Sequence, residues 1–236
     1  MASRKAELRK INREEKRKRA ERRQRWASWG FKAALALLIP LVLFVFWQGW
    51  NAGSAALPPA EVGASDHVKG NADSNITLTI YGDFQCPACK VETQILERAW
   101  PRISDKVRVV FRHYPLDIHR HAFLAARYAE AAGRQGKFWE LHDVFYANQE
   151  LWSSAADATP LFDEYARSVG LDLDKLKADL NTSEVRDKVL ADQRGGTRAG
   201  VRATPSLFLN GRLLARNPAS VTELVDLIER AQSSAN

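Results

Sequence analysis

The chain has 236 residues, of which 45% are hydrophobic and 27% are charged, an ordinary globular balance that allows one or two domains with a buried core. Its formal net charge is +7, but residues 1–32 hold 13 Lys and Arg against 4 Asp and Glu, and the remaining 204 residues hold 22 against 24. This distribution excludes a chain that is basic throughout. The positive charge belongs to an N-terminal tail, and the rest is slightly acidic.

A charge-free stretch of 28 residues follows this tail, from residue 33 to residue 60. A helix over 29–50 would span roughly 33 Å, enough for a hydrocarbon core of about 30 Å. The Lys- and Arg-rich flank predicts that the tail, 1–28, stays in the cytoplasm and that everything after residue 51 is outside. We therefore expect a single-pass signal anchor in contact with the lipid of the cell (inner) membrane, followed by a periplasmic or otherwise extracytoplasmic domain.

Two alternatives remain open for the N-terminal region. A cleaved signal peptide is one, because "NAGSAA" offers small residues near a possible cut after Ala55 or Ala56. The long basic region favours an uncleaved anchor. Nucleic acid binding is the other, but no aromatic residue precedes Trp26, and interspersed Glu residues suit a solvated helix. Attraction to anionic lipid accounts for the charge, so we expect no nucleic acid partner.

The chain after the predicted anchor helix begins with a composition typical of a connection. Residues 51–74 are rich in Ala, Gly, Ser and Pro and lack apolar periodicity, which predicts a flexible linker. "NITLTIYGDF" then predicts a strand that ends in a polar turn. The helix "CPACKVETQILERAW" follows, with these apolar residues at helical spacing: Val91, Ile95, Leu96 and Trp100. A second strand, "KVRVVFRHY", completes a right-handed βαβ unit with parallel strands.

Helical periodicity dominates the next part of the chain. Residues 116–200 predict four or five helices, and their aromatic residues are interpreted as the core of this stretch: Phe138, Trp139, Phe145 and Tyr146. "PSLFLNGRLLA" predicts a hairpin with Asn210 and Gly211 at its turn. The final helix, "SVTELVDLIERAQ", has Ser220 and Glu223 in a capping box. The elements predict an α/β domain over 75–236 with a helical insertion.

The chain has only two cysteines, Cys86 and Cys89, and both stand at the start of the first predicted helix of this domain. Residues three apart share one helix face, so the two sulfurs can close a disulfide or remain a dithiol. Unpaired N–H groups and the helix dipole favour a thiolate at Cys86, which we expect to be the nucleophile. Cys89 is expected to be the buried, resolving thiol. Pro87 suits the first helical turn because it has no N–H to lose.

Other uses of two thiols are less favoured. A disulfide that closes four residues removes little unfolded-state entropy, which argues against a structural role. His119, His121 and His142 could converge on the thiols, but no second C-x-x-C or paired-His motif supplies ligands at a recognised spacing. We expect no metal, and no cofactor beyond a redox-active Cys86–Cys89 disulfide. A non-enzymatic thiol metal carrier is kept as a distant alternative.

Three stretches resemble the signature blocks of the DsbA-like branch of the thioredoxin superfamily: "YGDFQCPACK", "VVFRHYPLDIHRHAFLAARYAEAAGRQGKFWELHDVFY" and "GVRATPSLFLNG". The resemblance covers about residues 75–232 and implies a protein-disulfide oxidoreductase with a thioredoxin fold that a helical subdomain interrupts. It also implies that Pro205 is a cis-proline facing the cysteine pair. Thr204 would then present its backbone to a substrate peptide and its hydroxyl to the sulfurs.

The resemblance further implies which molecules the site meets. Unfolded or reduced exported polypeptides would be the substrates, bound beside Cys86 by these residues: Pro87, Ala88, Thr204 and Pro205. A membrane redox partner, either a quinone-linked oxidase or a thiol reductase, would recycle the pair. Ala88 stands where strongly oxidising members carry a histidine. The stabilisation that an imidazole gives to the thiolate is therefore missing here. We expect an oxidase, with a disulfide reductase or isomerase as the alternative.

Three further polar residues lie near the predicted site or at the end of a predicted strand. The buried acid of thioredoxin would fall at Ile80, which leaves Asp83 and Glu92 as nearby candidates for a proton acceptor. The favoured interpretation is a turn acid at Asp83 and a helix-surface acid at Glu92. His113, at the end of a predicted strand, is expected to be a structural hydrogen-bonding group.

Overall fold

The computed structural model describes residues 36, 38–44 and 58–235, of which 36 and 38–44 are helical. Within these described residues, no helix combines the length and the apolar character that a membrane crossing requires. The predicted tail, 1–28, lies outside the described residues, as does most of the predicted anchor, 29–50. The anchor therefore stays a prediction.

From residue 58 onward the described chain builds a five-stranded mixed sheet flanked by helices. The strands are β1 (His67–Gly70), β2 (Thr77–Gly82), β3 (Arg108–His113), β4 (Ser206–Leu209) and β5 (Arg212–Leu213). The helices are α1 (Pro87–Ile103), α2 (Ala122–Gly133), α3 (Phe138–Ala147), α4 (Gln149–Ser153), α5 (Thr159–Ser168), α6 (Leu173–Leu180), α7 (Ser183–Arg198) and α8 (Val221–Ala235).

The sheet has the order β1-β3-β2-β4-β5. β2 and β3 are parallel and α1 joins them, so the predicted βαβ unit is confirmed. The other three pairs are antiparallel. β2 lies at the centre of the sheet and pairs with β3 on one side and β4 on the other. The start of α1 follows this strand and is therefore held in place from both sides.

β1 corrects the predicted linker over 51–74. Its four residues pair with β3 in antiparallel register, from His67 opposite Phe111 to Gly70 opposite Arg108. The folded domain thus begins before residue 75. Sequence patterning missed the strand because "HVKG" is short and holds one aliphatic residue, so it shows no alternation.

The helices α2 to α7 are inserted between β3 and β4, where the sequence predicted a helical subdomain. Phe138, Phe145 and Tyr146 are buried as expected. Trp139 is partly buried and donates its indole N–H to the Val68 carbonyl at 3.1 Å, which fastens β1 to α3. The insertion therefore shares one core with the sheet.

The predicted C-terminal signals are confirmed. Asn210 and Gly211 both have positive φ, 47° and 77°, as a tight two-residue hairpin turn requires. The Glu223 N–H donates to Ser220 Oγ at 3.2 Å, and Glu223 Oε2 accepts from the Ala219 N–H at 3.0 Å. This pairing starts α8, which packs against α1.

A buried ion pair joins the segment before β1 to the sheet. The Arg112 guanidinium donates to both carboxylate oxygens of Asp66, at 3.0 and 2.8 Å. It also donates to the Tyr81 hydroxyl at 3.3 Å and to the Glu61 carbonyl at 3.1 Å. Both charged side chains are about 95% buried, with exposures of 5% and 6%. Sequence analysis did not identify this pair.

We expect Asp66→Ala to lower the free energy of unfolding by about 3–5 kcal/mol, because it leaves the buried Arg112 charge without its carboxylate partner. Combining it with Arg112→Met should recover much of this loss. Asp73→Ala, at an exposed acid in the next loop, should change stability by less than about 0.5 kcal/mol. Urea unfolding followed by circular dichroism measures all three. A loss below about 1 kcal/mol in the single Asp66 variant would show that the pair does not stabilise the fold.

Candidate active site

The two cysteines lie where β2 passes into α1. Cys86 is the N-cap residue, with extended backbone angles (φ −75°, ψ 122°), and Pro87 opens the helix. Both thiols are free and buried, with exposures of 7% and 2%. Pro87 and Ala88, in contrast, are exposed. The pair is therefore shielded by the fold but reaches the surface at the Cys86 end.

The loop before β4 faces the pair. The Thr204–Pro205 peptide bond is cis, as the resemblance implies. The Cys86 thiol donates to the Thr204 carbonyl at 3.4 Å. Thr204 Oγ1 is buried and has no hydrogen-bond partner among the described residues, and the Thr204 side chain lowers the pKa of both cysteines. The structure thus brings together the predicted residues Cys86, Cys89 and Thr204, with Pro205 directly after them.

The two thiols have opposite acidities. The Cys89 thiol lowers the pKa of Cys86 to about 5, outweighing the burial that opposes it, and the Thr204 hydroxyl and the backbone N–H groups of Cys89 and Ala88 add to the effect. Burial raises the pKa of Cys89 well above its ordinary value, and the neighbouring Cys86 raises it further. At neutral pH this arrangement favours a Cys86 thiolate beside a Cys89 thiol.

Asp83 holds the turn that carries the cysteines. One carboxylate oxygen accepts from the Gln85 N–H at 2.7 Å, and the other pairs with His119 Nδ1 at 2.7 Å and accepts from the Leu116 N–H at 2.9 Å. Its own N–H donates to Cys89 Sγ at 3.4 Å. Asp83 is almost completely buried. The interpretation as a turn acid is confirmed, since both oxygens are engaged in the turn.

The helical insertion reaches the same turn through Gln149, the first residue of α4. Its buried amide donates to the Phe84 carbonyl at 2.7 Å and to the Cys86 carbonyl at 2.9 Å. Gln85 returns the contact by donating to the Ser153 carbonyl at 3.2 Å. Sequence analysis missed Gln149, because a glutamine in a five-residue helix carries no local signal of a contact 63 residues away.

Glu92 departs from its interpretation as a helix-surface acid. Its side chain is buried, with an exposure of 5%, and Oε1 has no hydrogen-bond partner among the described residues. Burial raises the pKa of Glu92 to about 7. The error came from the assumed apolar face of α1, since Val91 is 55% exposed and the buried face includes Glu92 instead.

The histidines weighed as metal ligands have other partners. His119 pairs with Asp83, His121 Nε2 lies 2.8 Å from the Ala155 carbonyl, and His142 Nδ1 lies 2.8 Å from an Asp143 oxygen. In the part of the chain that the structure describes, the group of three metal-ligating side chains is a different one, and it contains neither cysteine.

That group consists of His67, His113 and Glu130. The two imidazoles lie 3.0 and 2.8 Å from the same Glu130 oxygen, and the Lys188 ammonium lies 3.8 Å from it. Both rings can donate to the carboxylate, and the lysine brings a positive charge beside it, which disfavours a metal ion. The cluster is best described as a buried polar network that fastens β1 to α2. The expectation that His113 is a structural hydrogen-bonding group is confirmed.

Alkylation of the reduced protein by iodoacetamide should show a Cys86 titration with a midpoint near pH 5. Thr204→Val removes the hydroxyl that helps to lower this pKa, so its midpoint should move upward and alkylation at pH 5 should slow by roughly threefold. Thr197→Val, at an exposed hydroxyl on α7, serves as the matched control and should leave the midpoint unchanged. A Cys86 midpoint near that of an ordinary thiol would contradict the described electrostatics.

Comparisons with known proteins agree with this geometry. The thioredoxin family model matches residues 63–230. Among solved structures, BdbD from Bacillus subtilis superposes with a TM-score of 0.64 at 22% identity, covering 76% of this chain and 98% of that one. A thioredoxin-like oxidoreductase from Silicibacter pomeroyi gives a TM-score of 0.60 at 25% identity, covering 72% and 94%. The catalytic domain of Proteus mirabilis ScsC also gives 0.60, at 18% identity, covering 79% and 98%.

The curated relatives carry a different name. A Na(+)/H(+) antiporter NhaA 1 from Mycolicibacterium vanbaalenii is 33% identical over 84% of this chain, and an NhaA from Herminiimonas arsenicoxydans is 34% identical over 74%. The match takes in 33% and 28% of their own lengths, so this chain spans about a third of the curated relatives. The family match, the sheet with its helical insertion and the cysteine pair opposite a cis-proline lead to one conclusion: the chain belongs to the thioredoxin family, with the fold of its DsbA-like members.

Proposed function

We propose that this chain is an extracytoplasmic thiol–disulfide oxidoreductase that exchanges disulfides with exported polypeptides through Cys86 and Cys89, acting as an oxidase. The observation that carries the proposal is the placement of two adjacent free thiols at the start of α1, with Cys86 in contact with the Thr204 carbonyl beside the cis peptide bond to Pro205. The lowered pKa of Cys86 and the raised pKa of Cys89 support it, because a pair used only to staple the fold would have no need of this difference.

In the oxidising direction, a substrate thiolate attacks Cys86 Sγ of the Cys86–Cys89 disulfide. The bond between the two cysteines breaks, a substrate–Cys86 disulfide forms, and Cys89 takes up a proton. A second substrate thiolate then attacks the substrate sulfur of this mixed disulfide, and Cys86 leaves as a thiolate. The substrate loses two electrons and the cysteine pair gains them. A low pKa makes Cys86 a good leaving group, so this last step is fast.

The surface around Cys86 supports an extended polypeptide as the substrate. Pro87 and Ala88 are exposed beside the nucleophile, and the Thr204 carbonyl already accepts a hydrogen bond from the Cys86 thiol. Exposed apolar side chains stand on the adjoining elements: Val91 on α1, Leu151 on α4 and Ile118 in the loop after β3. An unfolded chain offers the backbone groups and apolar side chains that such a surface binds.

The acidity of Cys86 favours the oxidising direction despite Ala88. A thiolate with a pKa of about 5 stabilises the reduced pair at pH 7, which makes the disulfide a better oxidant. The histidine of strong oxidases is absent, but the hydroxyl of Thr204, the Cys89 thiol and backbone N–H groups supply the stabilisation. A reductase of the thioredoxin kind works with a less acidic nucleophile, so the reductase or isomerase role is the second candidate.

The proposed setting follows from the N-terminal region. We propose that the basic tail and the apolar segment anchor the chain in the cell membrane, with the redox domain outside. The redox-active disulfide is the only cofactor that the proposal requires. A membrane protein with a disulfide of its own would reoxidise the pair. Antiport belongs to the names of longer relatives, of which this chain spans about a third, so we assign it the redox part and not ion transport.

The reduction potential of the cysteine pair tests the direction of electron flow, oxidase or reductase. Thioredoxin, at about −270 mV, has a nucleophile with a pKa near 7, and two pKa units correspond to about 60 mV. We therefore expect roughly −210 mV for the Cys86–Cys89 pair, measured by equilibration with glutathione at pH 7. A value near −270 mV would exclude the oxidase role and favour the reductase.

Trapping tests the division of labour. Cys89→Ser should accumulate mixed disulfides with exported polypeptides, because the resolving thiol is missing, whereas Cys86→Ser should form none. Non-reducing gel electrophoresis followed by mass spectrometry identifies the trapped proteins. If Cys86→Ser trapped polypeptides and Cys89→Ser did not, the two roles would be reversed.

A further inference from the structure

A small cavity lies on the inner side of the cysteine pair, away from the exposed Pro87 and Ala88. Its volume is about 10 Å³, close to the room that one water molecule occupies. The residues that line it include Cys89, Glu92, His142, Tyr146 and Pro205. The buried thiol and the buried carboxyl of α1 therefore border the same small cavity.

The polar groups around this cavity differ in whether they are already engaged. His142 Nδ1 pairs with Asp143 at 2.8 Å, and the Tyr146 hydroxyl donates to the Asp83 carbonyl at 3.2 Å. Glu92 Oε1 is buried without any hydrogen bond among the described residues. A buried polar atom of this kind is rare and costs stability unless water or chemistry uses it.

No charged partner stabilises the Glu92 carboxyl in its buried position among the described residues. From α3, the cavity receives His142 and Tyr146, and from α1 it receives Cys89. Two of the residues that line the cavity contact charged groups: His142 pairs with Asp143, and the Trp139 ring centroid lies 5.3 Å from the Lys69 ammonium of β1. No ion pair to Glu92 is present in residues 58–235. Burial alone shifts its acidity.

We propose that Glu92 is the proton-exchange group for Cys89, acting through one water molecule in the shared cavity. This inference rests on the proposed thiol–disulfide chemistry and adds to it the route of the proton. The proposal holds in both directions of electron flow, because each direction changes the protonation of Cys89.

The step balances as follows. When the Cys86–Cys89 bond breaks, Cys89 departs as a thiolate and receives the proton of the Glu92 carboxyl through the water, which leaves a thiol and a carboxylate. When the bond forms, the Glu92 carboxylate takes the proton of the Cys89 thiol. The resulting thiolate attacks Cys86 Sγ in the mixed disulfide and expels the substrate thiolate. Two electrons pass between the substrate and the pair, and Glu92 ends each step in the protonation state that the reverse step needs.

The acidity of Glu92 suits this role. Burial raises its pKa to about 7, so both forms are present at neutral pH. A general acid or base works best when its pKa lies near the working pH. Cys89, whose pKa is raised well above its ordinary value, needs such a group because its thiolate is scarce without one.

A two-step thiol titration separates this proton transfer from the initial attack. The reduced full-length protein is mixed in a stopped-flow instrument with 5,5′-dithiobis(2-nitrobenzoic acid), an aromatic disulfide. Attack by Cys86 releases a first coloured thiolate, and attack by Cys89 on the mixed disulfide releases a second. Cys89→Ser should show the first release only, which identifies the second phase.

We expect Glu92→Gln to slow the second phase at pH 7 by about tenfold or more and to leave the first phase unchanged. In the unaltered protein the second rate should rise through pH 7 as the carboxylate forms, and this inflection should vanish in Glu92→Gln. Glu97→Gln, the same change at an exposed position of α1, should affect neither phase. A merely structural role for Glu92 would not remove a pH inflection.

The outcomes distinguish this inference from the function on which it rests. Equal second-phase rates for Glu92→Gln and the unaltered protein across pH 5 to 9 would overturn the role of Glu92, while two releases per chain would leave the redox function intact. If the unaltered protein gave no second release, the proposed function itself would fail. If Glu92→Gln did not fold, the pH profile of the unaltered protein decides, since a profile without an inflection near pH 7 overturns the proposal.

Discussion

Every polar group of Asp83 makes a contact that holds the turn between β2 and α1, which carries the two cysteines. Its carboxylate binds two N–H groups and His119, its carbonyl accepts from the Cys86 N–H at 3.1 Å and from Tyr146, and its N–H points at Cys89 Sγ. The residue thus connects β2, the loop after β3 and the insertion around one buried point. The positions of both sulfurs depend on this residue, because its side chain and its main chain together satisfy polar groups of the turn between strand and helix.

The electrostatics of the pair come from neutral dipoles and burial. No ion pair to either cysteine is present in residues 58–235. Even so, the pKa of Cys86 is lowered and the pKa of Cys89, one helical turn away, is raised. Dipoles fixed in a buried site are screened little by salt, unlike charges on a surface. The fold therefore shifts the two pKa values in opposite directions, and the residue before Cys89 that takes part in the turn is an alanine, Ala88.

Local patterns predicted the parts of this structure that depend on neighbouring residues. The spacing of Cys86 and Cys89, the Asn210–Gly211 turn and the Ser220 cap each specify a short piece of backbone, and all three pieces are present. The parts that were missed depend on distant contacts. β1 gains its identity from pairing with β3, and Gln149 gains its contact through the packing of the insertion.

Glu92 shows the same limit at the site itself. Periodicity assigned the apolar face of α1 from residue types, and a carboxylate on that face runs against the expected pattern. Such a conflict between local pattern and burial is typical of functional positions. Glu92, which the pattern placed on the surface, is buried beside the redox pair. The cysteine pair could be found from spacing, whereas its proposed proton route required the arrangement of four elements and the loop before β4 around a cavity.

The N-terminal connection has a mechanical consequence. The chain enters the fold through the Asp66–Arg112 pair and then β1, an edge strand that lies antiparallel along β3. A pull from the N-terminal side therefore loads an ion pair and the hydrogen bonds of one edge ladder. The turn that carries Cys86 lies beyond β3, on the central strand. Force applied at residue 58 would thus act first on this ion pair and this edge strand, and only later on the central strand that leads into the redox pair.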